Sequence, residues 1–348
     1  MKTDNVRSPT DAVQDDRSLA ARSRWIELGL ASLRFGPGLI LVVLVLILGL
    51  CTEYFFTTRN IGNVLAQTAA IAVLAMGQHL VILTRGIDLS VGSVLALSAV
   101  VGALVYRQVD SGTLTIVVMI ATGLAVGFVN GFAYVWGRLP HPFIITLATL
   151  SIARGLALEL AGGAAIPGMP SIILFLGGGS IAGVPVSALV TCTVALVLAI
   201  ITRSVVWGRW IYSVGGNPEA ARRTGIPTKT VLLSVYMISG AMAGVGAILT
   251  SGRTAAGSPL FGNLAELDSI AAVIIGGASF LGGRGNIGHA LVGALMIGVI
   301  RNALNLLNVD IFFQLIAIGV IIVLAVEADV IRGTLEERFR VLQSSRAK

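Results

Sequence analysis

Apolar stretches recur from residue 37 almost to the carboxyl end, each closed off by charge or by a Pro/Gly cluster. Their limits predict ten membrane-spanning helices, at 37–52, 62–84, 87–106, 114–136, 142–160, 185–202, 230–250, 268–281, 287–307 and 311–328. The pattern is that of an all-α, polytopic membrane protein. The first and eighth stretches are short against about 30 Å of hydrocarbon. Between the fifth and sixth lies 161–185, where Ile172–Leu176 is apolar but too short to cross, predicting a re-entrant or surface-hugging piece.

One polar interruption has a shape of its own. Gly215–Pro227 reads GGNPEAARRTGIP. Asn217 suits an N-cap, Pro218 the first helical position, and Glu219 the positive helix start, while Gly225 and Pro227 close the far end. About seven residues remain for the helix, roughly 10 Å, far too few to cross a bilayer. A helix so fully terminated, stranded between oily spans, is built to be gripped by another protein.

Charge orients the spans. With the amino terminus inside, ten crossings return the carboxyl terminus to the same side, and Lys/Arg concentrate there: the 1–36 tail, the loop between spans six and seven, and the 331–348 tail. Arg85, Arg138 and Arg284 join them; Arg59, Arg107, Arg253 and Arg301 are left outside. The chain therefore divides into a cytoplasmic tail (1–36), a transmembrane domain (37–330) and a second cytoplasmic tail (331–348). The first tail has no cleavage pattern and reads as retained. Within it, Trp25, Ile26, Leu30 and Leu33 line one side of an interfacial helix, with Arg22, Arg24 and Arg34 near lipid head groups.

Composition agrees: 55% of residues are hydrophobic, 12% charged, and the mean hydropathy is +0.91. The net charge of +7 follows from the positive-inside rule, and without aromatic–basic interleaving it implies no nucleic acid. Cys51 and Cys192 read as small hydrophobes rather than a disulfide or metal pair. No lysine follows a glycine, so no P-loop exists; the three histidines are isolated, and no Gly-x-Ser-x-Gly elbow occurs. No catalytic, cofactor or metal site is assigned to this chain, and an enzyme is not expected.

The polar residues near spans are few. Asp88 and Ser90 are read as caps of the third span against a turn at Gly86, and Asp268, after Glu266, as the cap of the eighth. Gln67, Asn130, Arg154, Glu159, Asn302 and Asn305 must face protein or a wet cavity. Hydrogen bonding between helices is the first reading for them, lining a pathway the second. Arg154 and Glu159 are five apart and do not stack on one helix face. Small residues at helical spacing (Gly123, Gly127, Gly131; Gly240, Gly244; Ala290, Ala294, Gly298) predict close helix packing within the subunit. The glycine-rich stretch Gly276–Gly288 reads as a tight turn, with a hinge or gate as the alternative.

Four stretches, Leu80–Ser98, Gly208–Ile226, Glu266–Leu295 and Arg301–Val309, closely resemble the permease subunits of ATP-binding cassette importers for monosaccharides, the ribose/xylose/arabinose branch. The resemblance implies a machine in a bacterial cytoplasmic (inner) membrane. It comprises two permease copies (identical or close paralogues), two cytoplasmic ATPase subunits carrying ATP and Mg, and a periplasmic or extracellular sugar-binding protein. It makes Asn217–Gly225 the coupling helix. Ala220, Ala221 and Thr224 would permit a close fit, and Glu219, Arg222 and Arg223 would pair with surface charges. Translocation-path or gate candidates are Gln67, Asp88, Ser90, Asn130, Asp268, Asn302 and Asn305. The solute is expected to be a neutral sugar or polyol, since no intramembrane cluster of one charge sign is apparent. The rival is an ion-coupled secondary transporter using Asp88, Glu159 and Asp268. Two departures from the family stand out: Arg85, where relatives usually carry a small or polar residue, and a long charged tail after Ala328.

Overall fold

The computed structural model describes residues 37–324 and 326–327. Both tails and the amphipathic pattern at 22–34 lie outside these residues, as does the predicted end of the last span. Helices run in the order α1 (Pro37–Cys51), α2 (Thr58–Leu83), α3 (Val91–Val109), α4 (Gly112–Trp136), α5 (Pro142–Ala161), α6 (Ser171–Gly178), α7 (Val186–Ser204), α8 (Val206–Gly216), α9 (Pro218–Arg223), α10 (Thr228–Thr254), α11 (Ala265–Ile275), α12 (Ile287–Leu306) and α13 (Ile311–Leu324). Seven of them (α2, α3, α4, α5, α7, α10 and α12) are long and apolar enough to cross a membrane. The shorter apolar helices α1 and α13 fall where the first and tenth spans were predicted, and the eleven-residue α11 overlaps the eighth.

Several starts are written locally. Side-chain oxygens of Thr57, Ser111 and Asn286 accept from the N–H three residues on, capping α2, α4 and α12. Two boundaries differ from the pattern. The third span was expected from 87, but α3 begins at Val91. Arg85 adopts a left-handed φ of 65° that ends α2, and the Asp88 carboxylate takes the Ser90 N–H at 3.0 Å, a local bond that competes with helix. The eighth was expected over 268–281, but α11 covers Ala265–Ile275 and stops at Gly276 and Gly277, the latter at φ 87°. Asp268 therefore sits inside the first turn and is not the N-cap, which is Leu264. Ser90 holds the cap position of α3 without capping it by its side chain.

The 161–185 segment folds back. β1 (Ile166–Pro167) pairs antiparallel with β4 (Ala256–Gly257), while β2 (Ser180–Ile181) and β3 (Val184–Pro185) form a hairpin. Between these strands α6 is packed against the last turns of α10.

Helices α2 and α10 form the centre. Every residue of α2 from Ala72 to Leu83 is buried, against α7, α10, α11 and α12. The predicted small-residue rows make the closest approaches. A methyl on Gly123 of α4 would run into the Gly240 carbonyl of α10, and one on Gly240 into that of Gly123. Gly127 lies equally close to the Tyr236 carbonyl, and Gly298 of α12 to the Thr68 hydroxyl of α2. In lipid, where apolar surface has no preference for protein over acyl chain, such van der Waals contact is what holds helices together. The outer helices leave apolar side chains exposed, among them Ile152, Leu196 and Phe313, as lipid contact requires.

Candidate functional site

The structure forms the short charged helix as α9, six residues from Pro218 to Arg223. Asn217 is extended (φ −153°) and its Oδ1 accepts from Ala220 N–H at 3.0 Å. At the other end Gly225 takes φ 83°, and the N–H groups of Gly225 and Ile226 return to the Arg222 and Ala221 carbonyls. Only Ala221 is buried, tucked against the side chains beneath α8; Ala220, Thr224 and the charged residues stand outward. Glu219 accepts from Arg222 at 3.1 Å and from Arg223 at 3.2 Å. These bonds hold its carboxyl below the usual carboxylate range, so it stays ionised to lower pH. The charges expected to pair with another protein thus pair first with each other, exposed and open to exchange.

The pathway candidates separate into three groups. Asp88, Ser90 and Asn130 join one buried network. Asp88 Oδ1 accepts from the Ser90 N–H and hydroxyl (2.6 Å), Oδ2 from the Ser239 hydroxyl (2.9 Å), and Asn130 Nδ2 donates to Ser90 Oγ at 2.9 Å. This ties the start of α3 to α4 and α10. Asn302 and Asn60 exchange reciprocal amide bonds of 2.8 and 3.0 Å between α12 and α2. Asn305 accepts from Gln314 at the start of α13, 2.9 Å away. These groups serve helix-to-helix bonding, the first reading made of them.

Gln67 and Asp268 line a cavity instead. It has a volume of about 320 Å³ between α2, α10, α11 and α12 and is also lined by Arg253, Asn263, Phe261 and Arg301. Arg301 Nη2 meets the Asp268 carboxylate at 2.7 Å; Asp268 is 4% and Arg301 33% exposed. A second cavity, about 380 Å³, adjoins it through Ala66 and Arg253 and opens toward Arg59, Asn63 and the β2–β3 hairpin. The segment 258–264 forms part of the wall. Arg154 of α5 fastens it by donating to the carbonyls of Pro259 and Phe261. Glu159 is exposed and takes no part.

A family described as "Branched-chain amino acid transport system / permease component" matches residues 60–326. The D-allose transport system permease protein of Escherichia coli (strain K12) is 39% identical over 298 residues, 85% of this chain and 91% of its own. The ribose import permease protein of Bacillus subtilis (strain 168) is 40% identical over 300 residues, 85% and 92% of the two chains. The chain belongs to this permease family, in its monosaccharide-importer branch. The fructose import permease protein of Rhizobium meliloti is similar as well, 35% identical over 288 residues and 79% of each chain. No solved structure matches the permease significantly.

Sequence reasoning missed three residues of the permease's cavity. Arg253 and Arg301 had been counted with the charges left outside, and Asn263 was not singled out. Arg301 lies within α12 and Arg253 in the last turn of α10. The one signal available was an arginine within helical reach of an apolar run; its acidic partner, 33 residues earlier, is invisible to any local pattern. The cavity does gather charge among the spans, as a mixed group rather than the one-sign cluster whose absence was expected. Two guanidinium groups and one carboxylate line it.

Proposed function

We propose that the permease is the membrane-spanning part of a monosaccharide importer, driven by a separate ATPase that grips α9. The observation that carries this is α9 itself. It has six residues, is terminated at both ends and lies, together with α8, between the long apolar helices α7 and α10. With one side chain buried, it contributes too little core to be explained by the chain's own packing. An isolated helix of six residues is unstable in water, so the caps, the Glu219 pairing and the Ala221 anchor preform a peg for a partner.

On this reading ten helices cross, both ends are cytoplasmic, and α9 projects into the cytoplasm, as the lysine and arginine distribution favours. Two permease copies assemble with two ATPase subunits that carry ATP and Mg, and a binding protein outside delivers the solute. The assembly sits in a bacterial cytoplasmic membrane. Nucleotide binds the closed and open ATPase pair with different affinity, and α9 passes that difference to the helices, which exchange outward-open for inward-open cavities.

The solute is a neutral, polyhydroxylated monosaccharide or polyol. Relatives named for allose, ribose and fructose point to sugars that differ in chain length, carbonyl position and hydroxyl stereochemistry but share that chemistry. The Gln67–Asn263–Asp268–Arg301 cavity offers both donors and acceptors, as hydroxyl groups require. Ion coupling is not favoured. The Asp88 carboxylate already accepts from three donor groups and Asp268 is paired with Arg301 at 2.7 Å, so neither presents an unpartnered charge to a cation.

Vesicles containing the permease with its ATPase and binding protein should take up sugar only with ATP on the ATPase side. Arg222→Glu with Arg223→Glu should cut uptake at least about tenfold while membrane insertion is unchanged. Uptake by the permease alone, driven by an ion gradient, would contradict the proposal.

A further inference from the structure

At the root of α9 the chain makes a joint that packing alone does not require. Arg85 lies just past the end of α2, where the N–H groups of Thr84, Arg85 and Gly86 turn back to Val81 and Ile82. Its φ of 65° is a position that helices usually give to glycine. A long β-carbon-bearing side chain there is strained, and such strain persists where the side chain is used. The guanidinium reaches across to α8, donating from Nε to the Gly215 carbonyl at 2.6 Å and from Nη2 to the Gly216 carbonyl at 2.5 Å. Those two carbonyls close α8, one residue before the Asn217 cap of α9.

A third strand of chain enters the same joint. Gly283 N–H donates to the Leu83 carbonyl at 2.9 Å, and the Arg85 stem lies against Gly282. Gly215 is so close to the Leu83 carbonyl that a methyl group has no room. The ends of α2 and α8 and the glycine-rich turn before α12 therefore meet within one hydrogen-bonded node, with Arg85 as its only cationic member among the contacts named. From that node α2 runs 26 residues, about 39 Å, and its other half carries Ala66, Gln67, Ala70 and Ile71 into the cavity wall.

We propose that Arg85 is the latch that makes α8–α9 and α2 move as one body, so that displacement of α9 reaches the cavity through α2. This rests on the reading of α9 as the ATPase dock. A planar fork spanning two successive carbonyls fixes direction as well as distance, which a lone donor or a hydrophobic contact does not. α2 is the longest buried lever available from that point, and its buried half is too tightly packed to bend in place of moving. Arg85 lines neither of the two cavities described, so its part is positional.

The test uses the complete transporter in vesicles, with D-ribose, D-allose or D-fructose as the probe, whichever the unmodified assembly imports. The quantity read is ATP hydrolysed per sugar imported, which a purely structural residue would not change. Arg85→Met should raise that ratio about tenfold, and Arg85→Lys, which keeps charge but loses the fork, should raise it less. Should Arg85→Met not reach the membrane, Arg85→Gln takes its place. In each variant, crosslinking of a cysteine at Ala220 to the ATPase reports separately on docking. Docking intact with an unchanged ratio overturns the latch alone; docking absent in the unmodified assembly overturns the reading of α9 on which it rests.

Discussion

The Asp268–Arg301 pair shows what a single contact decides in this protein. An aspartate nearly excluded from solvent is paired with a guanidinium 2.7 Å away, and both line a cavity of about 320 Å³. Removing one partner leaves the other uncompensated. Because Arg301 remains 33% exposed, Asp268→Asn should cost about 2 kcal/mol, less than for a fully buried pair. We expect this as a lower thermal midpoint in detergent together with lost sugar uptake. Adding Arg301→Gln should restore stability without restoring uptake. If the double variant regains transport, the pair is a brace and not a contact for the solute. The Asp88 network is the contrast: its carboxylate accepts from three donor groups and lines neither of the two cavities described. In the sequence the two aspartates looked alike, each polar at the start of a span. What separates them is partners 33 and 151 residues away, a separation that no local pattern carries.

Among the elements, termination signals were the most legible part of the chain. Asn217, Pro218 and Gly225 define α9 in the sequence and again in the structure, because capping is satisfied within a few residues. The long apolar runs that became α4, α5, α7 and α12 were placed to within a few residues for the same reason. Starts went astray where the chain breaks helix inside the apolar mass. Residues 84–90 show a polar turn and 276–286 a glycine-rich one, but where the helix stops and resumes is set by bonds between distant segments. The small-residue rows were readable as close packing, although not which helix each would face. The α4–α10 contact gives that packing a measurable consequence. Gly240→Ala must force the two backbones apart, so it should destabilise the fold by about 2 kcal/mol, whereas Gly155→Ala, which meets nothing, should not. Thermal unfolding of the two variants in one detergent makes the comparison. Equal midpoints would mean that the interface has slack.

Across the whole molecule, one body of helices carries two features at opposite ends of α2. The node around Arg85 and α9 lies at one end, and the paired cavities toward Arg59 lie at the other. That separation is what a transporter powered from one side and loaded from the other requires. Membership of the importer permeases fixes the class of machine, and the donors and acceptors lining the cavity suit the polyhydroxylated solute proposed for it. The central claim is that the motor docks on α9, and crosslinking tests it most directly. In an assembled transporter freed of the exposed native Cys51 and Cys192, a single cysteine is placed at Ala220 or, as the opposite-end control, at Ala182 of the β2–β3 turn. A bond from Ala220→Cys to the ATPase subunit, and none from Ala182→Cys, is the predicted result. An ATPase captured at Ala182→Cys, with Ala220→Cys left free, would contradict it.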